Sequence, residues 1–239
     1  RYPNQRKIVT FLDNLYGASL SVDVLKSGER QILYFRVEVV NDLYAPEKIQ
    51  ALRKSIEFLS QMILFPVLEE GVLRKDYVAQ EKENLDRLIQ SLVNDRMCYA
   101  TERLLQELCP GESYAIYEYG RRDEIPRITP KKLTRLHQRV LREAPFEIFI
   151  VGDVDVSETS EIVRKSFRFS KRDPKPVPST VVSGRNGKKI REIVERMEVD
   201  QGKLVMGART GITWADPDIF PLIFYNGMFG GFAHSKLFV

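Results

Sequence analysis

The segment Lys75–Val93 (KDYVAQEKENLDRLIQSLV) constrains this chain more than any other, because its spacing fits a helix with one apolar face. Val78, Leu85, Leu88, Ile89 and Leu92 recur at intervals of three, four and seven, the period of an amphipathic helix. Glu81 and Leu88 stand seven residues apart, and at 3.6 residues per turn they point within about 20° of one another. Whatever surface Glu81 meets, Leu88 meets one step along the axis. Glu81 offers a carboxylate there, and Leu88 an isobutyl group that can neither bind a metal nor carry a proton. The same periodicity places Leu88 on the Leu85–Leu92 face, and so in the core.

The rest of the chain alternates between strand and helix signals. Lys7–Leu15 reads as a helix closed by Gly17 in the left-handed conformation. Ala18–Leu25 alternates apolar and polar, the period of a strand with one buried face; Ser27–Gly28 then turns the chain into Gln31–Val40, and the two make a hairpin. A helix is expected from about Pro46, with Ile49, Leu52, Ile56, Leu59 and Ile63 as its stripe. Beyond the Glu81 helix, Tyr99–Leu108 continues helical to Pro110–Gly111, and Thr129–Pro130 caps a helix through Leu141. Phe146–Val151 reads as a strand, and Ser157 as the cap of a helix to about Phe167. The alternating Pro174, Pro176 and Pro178, followed by Ser183–Gly184 and Asn186–Gly187, have the composition of an extended linker. Past it, Glu192–Val199 and Lys203–Arg209 read as strands, and Asp216–Pro217 starts a helix ending at Gly230–Gly231. The fold class is α+β, a sheet packed against helices. Residues 1–170 form a nearly complete first domain, 171–190 a linker, and 191–239 the beginning of a second.

Composition excludes several classes. A hydrophobic fraction of 43% and a charged fraction of 29% belong to a globular protein with a real core. No apolar run is long enough to span a bilayer, so no membrane association is expected. Cys98 and Cys109 are too few for a disulfide scaffold; they are expected buried and reduced, which points to a cytoplasmic setting. Basic residues gather at Arg121–Arg122, over Lys131–Arg142 and at Lys188–Arg191. The near balance of 37 basic and 33 acidic residues, with no stacking aromatics among the clusters, argues against nucleic acid.

Four segments, in this order, resemble the insulinase/pitrilysin family of zinc metallopeptidases, which includes mitochondrial processing peptidase and its bacterial relatives. Leu15–Val24 (LYGASLSVDV) matches the edge strand after the zinc helix, and Asp76–Leu92 the helix of the third zinc ligand. Ile128–Asp155 (ITPKKLTRLH, then IVGDVD) resembles the helix and closing strand of the first half. Asp216–Phe238, with its Gly-Gly-x-x-x-Ser-x-Leu-Phe run (Gly230, Gly231, His234, Ser235), is similar to the second-half signature. The resemblance implies a duplicated fold of two similar halves. It also implies that active members bind zinc through H-x-x-E-H and a glutamate ending an E-R-x-x-V-x-x-E pattern.

Catalytic zinc takes about three protein ligands and an open position, and lowers the pKa of its bound water toward 7. This sequence has no H-x-x-E-H; its two histidines, His137 and His234, lie in different halves. Glu81-Lys82 matches the opening E-R, and the ligand position then falls on Leu88. Glu83 and Asp86 lie about 140° and 160° round the helix from Leu88 and do not substitute for it. Glu81 and Leu88 are thus a vestigial site, and no catalytic, cofactor-binding or metal residue is assigned. The resemblance implies a zinc-less, non-catalytic subunit that binds peptide or unfolded protein and completes a chamber. Its partner would be a zinc-bearing sister subunit or a second copy. Leu20, Ser21, Val22 and Asp23 lie on the edge strand that receives peptide in active relatives. The alternative is a fragment of an active zinc endopeptidase whose H-x-x-E-H precedes residue 1.

Overall fold

The side-chain oxygen of Asn4 accepts the Lys7 amide at 3.0 Å and opens helix α1, Gln5–Asp13. The helix ends through two successive left-handed residues, Tyr16 (φ 58°) and Gly17 (φ 74°). Leu15, 1% exposed, plugs the corner. The hairpin follows as β1, Ser19–Ser27, and β2, Arg30–Glu38, antiparallel in the register Val22↔Phe35 and Val24↔Leu33. Its turn sits on Gly28 at φ 58°, where a side chain would be strained. Neither strand buries a full face: Val22 and Leu33 are each 56% exposed, against the expectation of one buried side.

Helix α2 runs Ala51–Leu64, five residues later than expected from Pro46. Gln50 takes φ 56°, which stops the helix from extending backward, and the Ala51 amide is held instead by the Asp42 carboxylate at 3.2 Å. Ile49 is therefore off the helix, while Ala51, Ile56 and Phe58 enter the core. Phe58 stacks on Phe11 with ring centroids 4.7 Å apart, joining α1 to α2.

A small hairpin, β3 (Leu68–Glu69) and β4 (Val72–Leu73), comes next; Glu70 and Gly71 in its turn both have positive φ. Helix α3 covers Lys75–Ser91, and α4 covers Arg96–Leu108. The Asp95 carboxylate caps α4 by accepting the Met97 and Cys98 amides. Cys98 is exposed and only Cys109 is buried, so the expectation of two buried thiols holds for one. A 3-10 segment, Arg122–Arg127, leads to α5, Pro130–Glu143, with Thr129 as its cap. Helix α6 spans Val156–Ser166, and its cap is Asp155, which accepts the Glu158 amide at 2.6 Å; Ser157 lies inside the helix.

The structure is a computed structural model that describes residues 2, 4–180, 190–198 and 200–237. It is α+β, with two two-stranded sheets among helices. Two compact units divide it, Arg1–Ser183 and Gly184–Val239. Phe146–Val151 is not a strand: no neighbour pairs with it among the described residues, and Phe149 and Val151 are 82% and 98% exposed. Of the expected strand Glu192–Val199, Val199 lies outside the described residues; the rest of it and Lys203–Arg209 likewise have no ladder partner among the described residues, because β-branched sequence supplies half of a pairing and not the other half. In the second unit, helix α7, Ile219–Asn226, continues into a π-turn over Gly227–Gly231.

The start of the proline segment is not free. Arg172 donates to the Ala144 carbonyl, the Asp173 amide to Arg142 at 3.0 Å and the Lys175 amide to Glu143 at 2.9 Å. Arg30 at the hairpin tip donates to the Pro178 carbonyl at 3.0 Å. Residues 172–178 therefore form a strap tied to the first unit; residues 181–189 of the expected linker lie outside the described residues.

Candidate functional site

Helix α3 is fixed at its start by Arg74. This guanidinium grips Asp76 with two nitrogens, at 3.1 and 2.5 Å, and lies over the Tyr77 ring, 4.2 Å from its centroid. The Arg74 hydrogen bond holds the Asp76 carboxyl below its ordinary pKa, and an acid there also suits the helix N-terminus. Val78, 7% exposed, anchors the inner face. Farther along, the Lys82 ammonium donates to the carbonyls of Pro126 and Ile128 at 3.2 and 3.1 Å. Arg122 donates to the Asp86 carboxylate at 2.6 and 3.3 Å. Those two anchors clamp the 3-10 segment to one side of α3. They frame an open groove of about 840 Å³ lined by Lys82, Glu83, Asp86, Arg122 and Ile125, among others. Asp86 is held below its ordinary pKa, first by the Arg122 hydrogen bond and then by its charge, with burial opposing.

Neither Glu81 nor Leu88 lines that groove. Glu81 is exposed, and one of its carboxylate oxygens accepts from Asn84, on the same helix, at 3.4 Å. Leu88 is 43% exposed. The periodicity expected it in the core, and that expectation fails. Leu85, Ile89 and Leu92 are half-buried, but the direction shared by Leu88 and Glu81 is open to solvent.

A zinc ion in the family position does not fit these donors. Leu88 has no lone pair to give. Of the other acids on this helix, Asp86 is paired with Arg122 and Glu83 with Arg87 at 3.7 Å, while Glu81, which shares the direction of Leu88, is a single exposed carboxylate accepting from Asn84. His137 is turned into the fold, its Nε2 2.8 Å from the Ile63 carbonyl oxygen. His234 belongs to the second unit and lies beside the Phe232 ring. Among the described residues no three His, Cys, Asp or Glu side chains group to hold a metal.

The candidate peptide edge is β1. Leu20 is half-buried, while Ser21, Val22 and Asp23 are exposed. On its paired side β1 meets β2, and among the described residues no third strand joins this sheet. The Val24 amide is held by the Asp23 carboxylate at 3.1 Å. The hairpin touches the segment after α4. Gln31 donates to the Glu118 carbonyl, and the Lys26 ammonium lies 4.7 Å from the centre of the Tyr114 ring. Burial pushes the Glu102 carboxyl up; the Lys26 charge pulls it down and Glu118 pushes it up further. Tyr119 is raised by burial and by the nearby Glu118 and Asp23 charges. This polar seat under the hairpin escaped the sequence reading, because Lys26 and Glu102 are 76 residues apart and carry no shared motif.

In the second unit Ser235 is 1% exposed, whereas Gly231 and His234 are open. The Lys236 and Leu237 amides donate back to Met228 and Phe229, folding the chain onto the π-turn. Among the described residues the glycine under greatest steric demand is Gly227, where a Cβ would fall 2.2 Å from the Phe232 ring. Gly230 and Gly231 are less confined, at 3.1 Å from Leu237 and 3.2 Å from the Asn226 carbonyl. Sequence alone does not single out Gly227 beside the adjacent glycine pair, because its constraint comes from the Phe232 ring folding back on it.

Residues 127–239 match the peptidase M16 inactive domain. The whole chain is 35% identical, over 238 residues, to the probable inactive metalloprotease YmfF of Bacillus subtilis (strain 168), of which it covers 55%. It is also similar to the crystal structure of a conserved protein from Enterococcus faecalis V583, at 31% identity with a TM-score of 0.80. That match covers 99% of this chain and 55% of the other. The chain thus spans about half the length of these relatives. Fold, motif order and sequence agree in making this chain similar to the M16 (insulinase/pitrilysin) peptidases.

Proposed function

We propose that this chain is part of a non-catalytic M16 homologue that binds extended peptide segments and helps enclose them in a chamber shared with a zinc-bearing sister subunit. The observation that carries the reading is Leu88, a hydrocarbon at the place where the resemblance puts the third zinc ligand, with Asp86 and Glu83 paired to arginines. The match to an inactive domain and the similarity to a probable inactive metalloprotease of Bacillus support the loss of catalysis. Zinc would supply the attacking hydroxide in an active relative.

Peptide binding rests on β1. A strand edge offers N–H and C=O groups whatever its side chains are, so it survives the loss of a metal site. Exposed Ser21, Val22 and Asp23 leave that segment reachable. An exposed free thiol at Cys98 suits a reducing, cytoplasmic setting. Among the described residues no helix is long and apolar enough to cross a membrane.

The test is affinity capture of the full-length protein from its own cells, followed by peptidase assay of the bait alone and of the complex. Recovery of an H-x-x-E-H protein, with activity only in the complex, is expected. Chelator-sensitive cleavage by the bait alone would refute the proposal. A complex containing only copies of the bait would replace the sister subunit with self-association.

A further inference from the structure

The excess positive charge of this protein is concentrated on one helix. Helix α5 carries Lys131, Lys132, Arg135, Arg139 and Arg142 against a single acid, Glu143, a balance equal to the +4 of the entire chain. At 100° per residue, Lys131, Arg135, Arg139 and Arg142 fall within about 80° of one another around the axis, along about 16 Å of helix. All four are exposed. Arg142 is paired with Glu143, but Lys131, Arg135 and Arg139 have no ion-pair partner among the described residues.

The opposite face is locked inward. Buried Thr134 accepts the Leu73 amide at 2.9 Å, and His137 meets the Ile63 carbonyl at 2.8 Å. The cationic face is therefore a fixed outward platform. Its first turn contains no acid. Lys131 and Lys132 sit where the helix dipole favours negative charge, so local helix stability does not account for them.

We propose that this face docks an extended acidic polypeptide segment of a partner protein. Cations four residues apart rise about 6 Å along a helix. Alternate side chains of an extended chain repeat every 6.4–6.8 Å or so. A run with Asp or Glu at every second position thus meets Lys131, Arg135 and Arg139 in turn. The outward face of α5 has no aromatic ring on which bases could stack, which favours polypeptide over single-stranded nucleic acid. Leu133, Val140 and Leu141 are half-buried against the fold and leave Leu136 as the exposed apolar side chain of the helix, too little to lie in a lipid surface.

The test measures binding of fluorescent polyglutamate to the full-length protein at low and physiological salt, beside oligo-dT and phosphatidylserine vesicles. Polyglutamate is expected to bind best, with affinity falling as salt rises. The R135Q/R139Q pair should weaken binding by about tenfold with an unchanged melting midpoint. The K48Q/K54Q pair makes the same change in net charge at exposed lysines elsewhere and should shift affinity less than about twofold. Failure of polyglutamate to bind overturns the proposal, as do equal losses in both pairs. Tighter binding of oligo-dT or vesicles replaces the acidic polypeptide with that polyanion. These outcomes are independent of zinc content and of any sister subunit.

Discussion

Replacing Leu88 with glutamate puts an acid where the resemblance would place the third zinc ligand, and the structure sets its thermodynamic cost. Leu88 is 43% exposed, so a little over half of the side chain is covered. Full burial of a leucine side chain stabilises by about 1.5–3 kcal/mol, which makes the covered part worth about 1–1.5 kcal/mol. The glutamate carboxylate would keep its water at such a position, so the several-kcal/mol penalty of an isolated buried charge does not apply. Glutamate and leucine also have similar helix propensities. Leu88→Glu should therefore cost about 1–1.5 kcal/mol, a fall in melting midpoint of about 3–5 °C for a unit of this size. Leu88→Ala removes nearly the same apolar contact and isolates the charge effect. Urea denaturation of both variants is expected to give losses within about 1 kcal/mol of each other. If Leu88→Glu costs several kcal/mol more than Leu88→Ala, residue 88 is desolvated in the native protein and the exposure argument is wrong.

Two further outcomes test other parts of the structure. Gly227→Ala places a methyl carbon against the Phe232 ring and should cost about 1–3 kcal/mol, with Phe232→Ala in the same chain recovering part of the loss in a denaturation cycle. The Asp86 carboxyl titrates below the ordinary aspartate range because Arg122 holds its charged form. A depressed folded pKa gives stability that is present above the unfolded aspartate pKa and is lost as pH falls through the folded value. NMR titration should find Asp86 low in the native protein and back in the ordinary range in Arg122→Gln; an unchanged Asp86 titration would mean that the ion pair is absent in solution.

What was legible in the sequence, and what was not, follows from which information is local. The β1–β2 hairpin could be read because alternation and the Ser27–Gly28 turn specify it within twenty residues. Thr129–Pro130 marked the start of α5 because a cap and an N1 proline act within one turn. Helix α2 was misplaced because its first amide is satisfied by Asp42, outside the helix and its immediate flank. Phe146–Val151 has the composition of a strand, but a strand also requires a neighbour. Leu88 is the instructive miss. Helical periodicity tells which residues share a direction, and only the surrounding elements decide whether that direction is covered. The chemistry at that position was still readable, since the absence of a donor atom is a property of leucine wherever it points. The arginines that occupy Asp86 and Glu83 required the folded chain for the first and only helical spacing for the second.

The claim on which the functional reading turns is that the donors on α3 do not make a zinc site. The most direct measurement is elemental analysis of the full-length protein, purified without chelator and equilibrated with equimolar zinc before desalting. Far less than one zinc per chain is the expected result. Stoichiometric zinc that is lost on substituting an acid of α3 would contradict it.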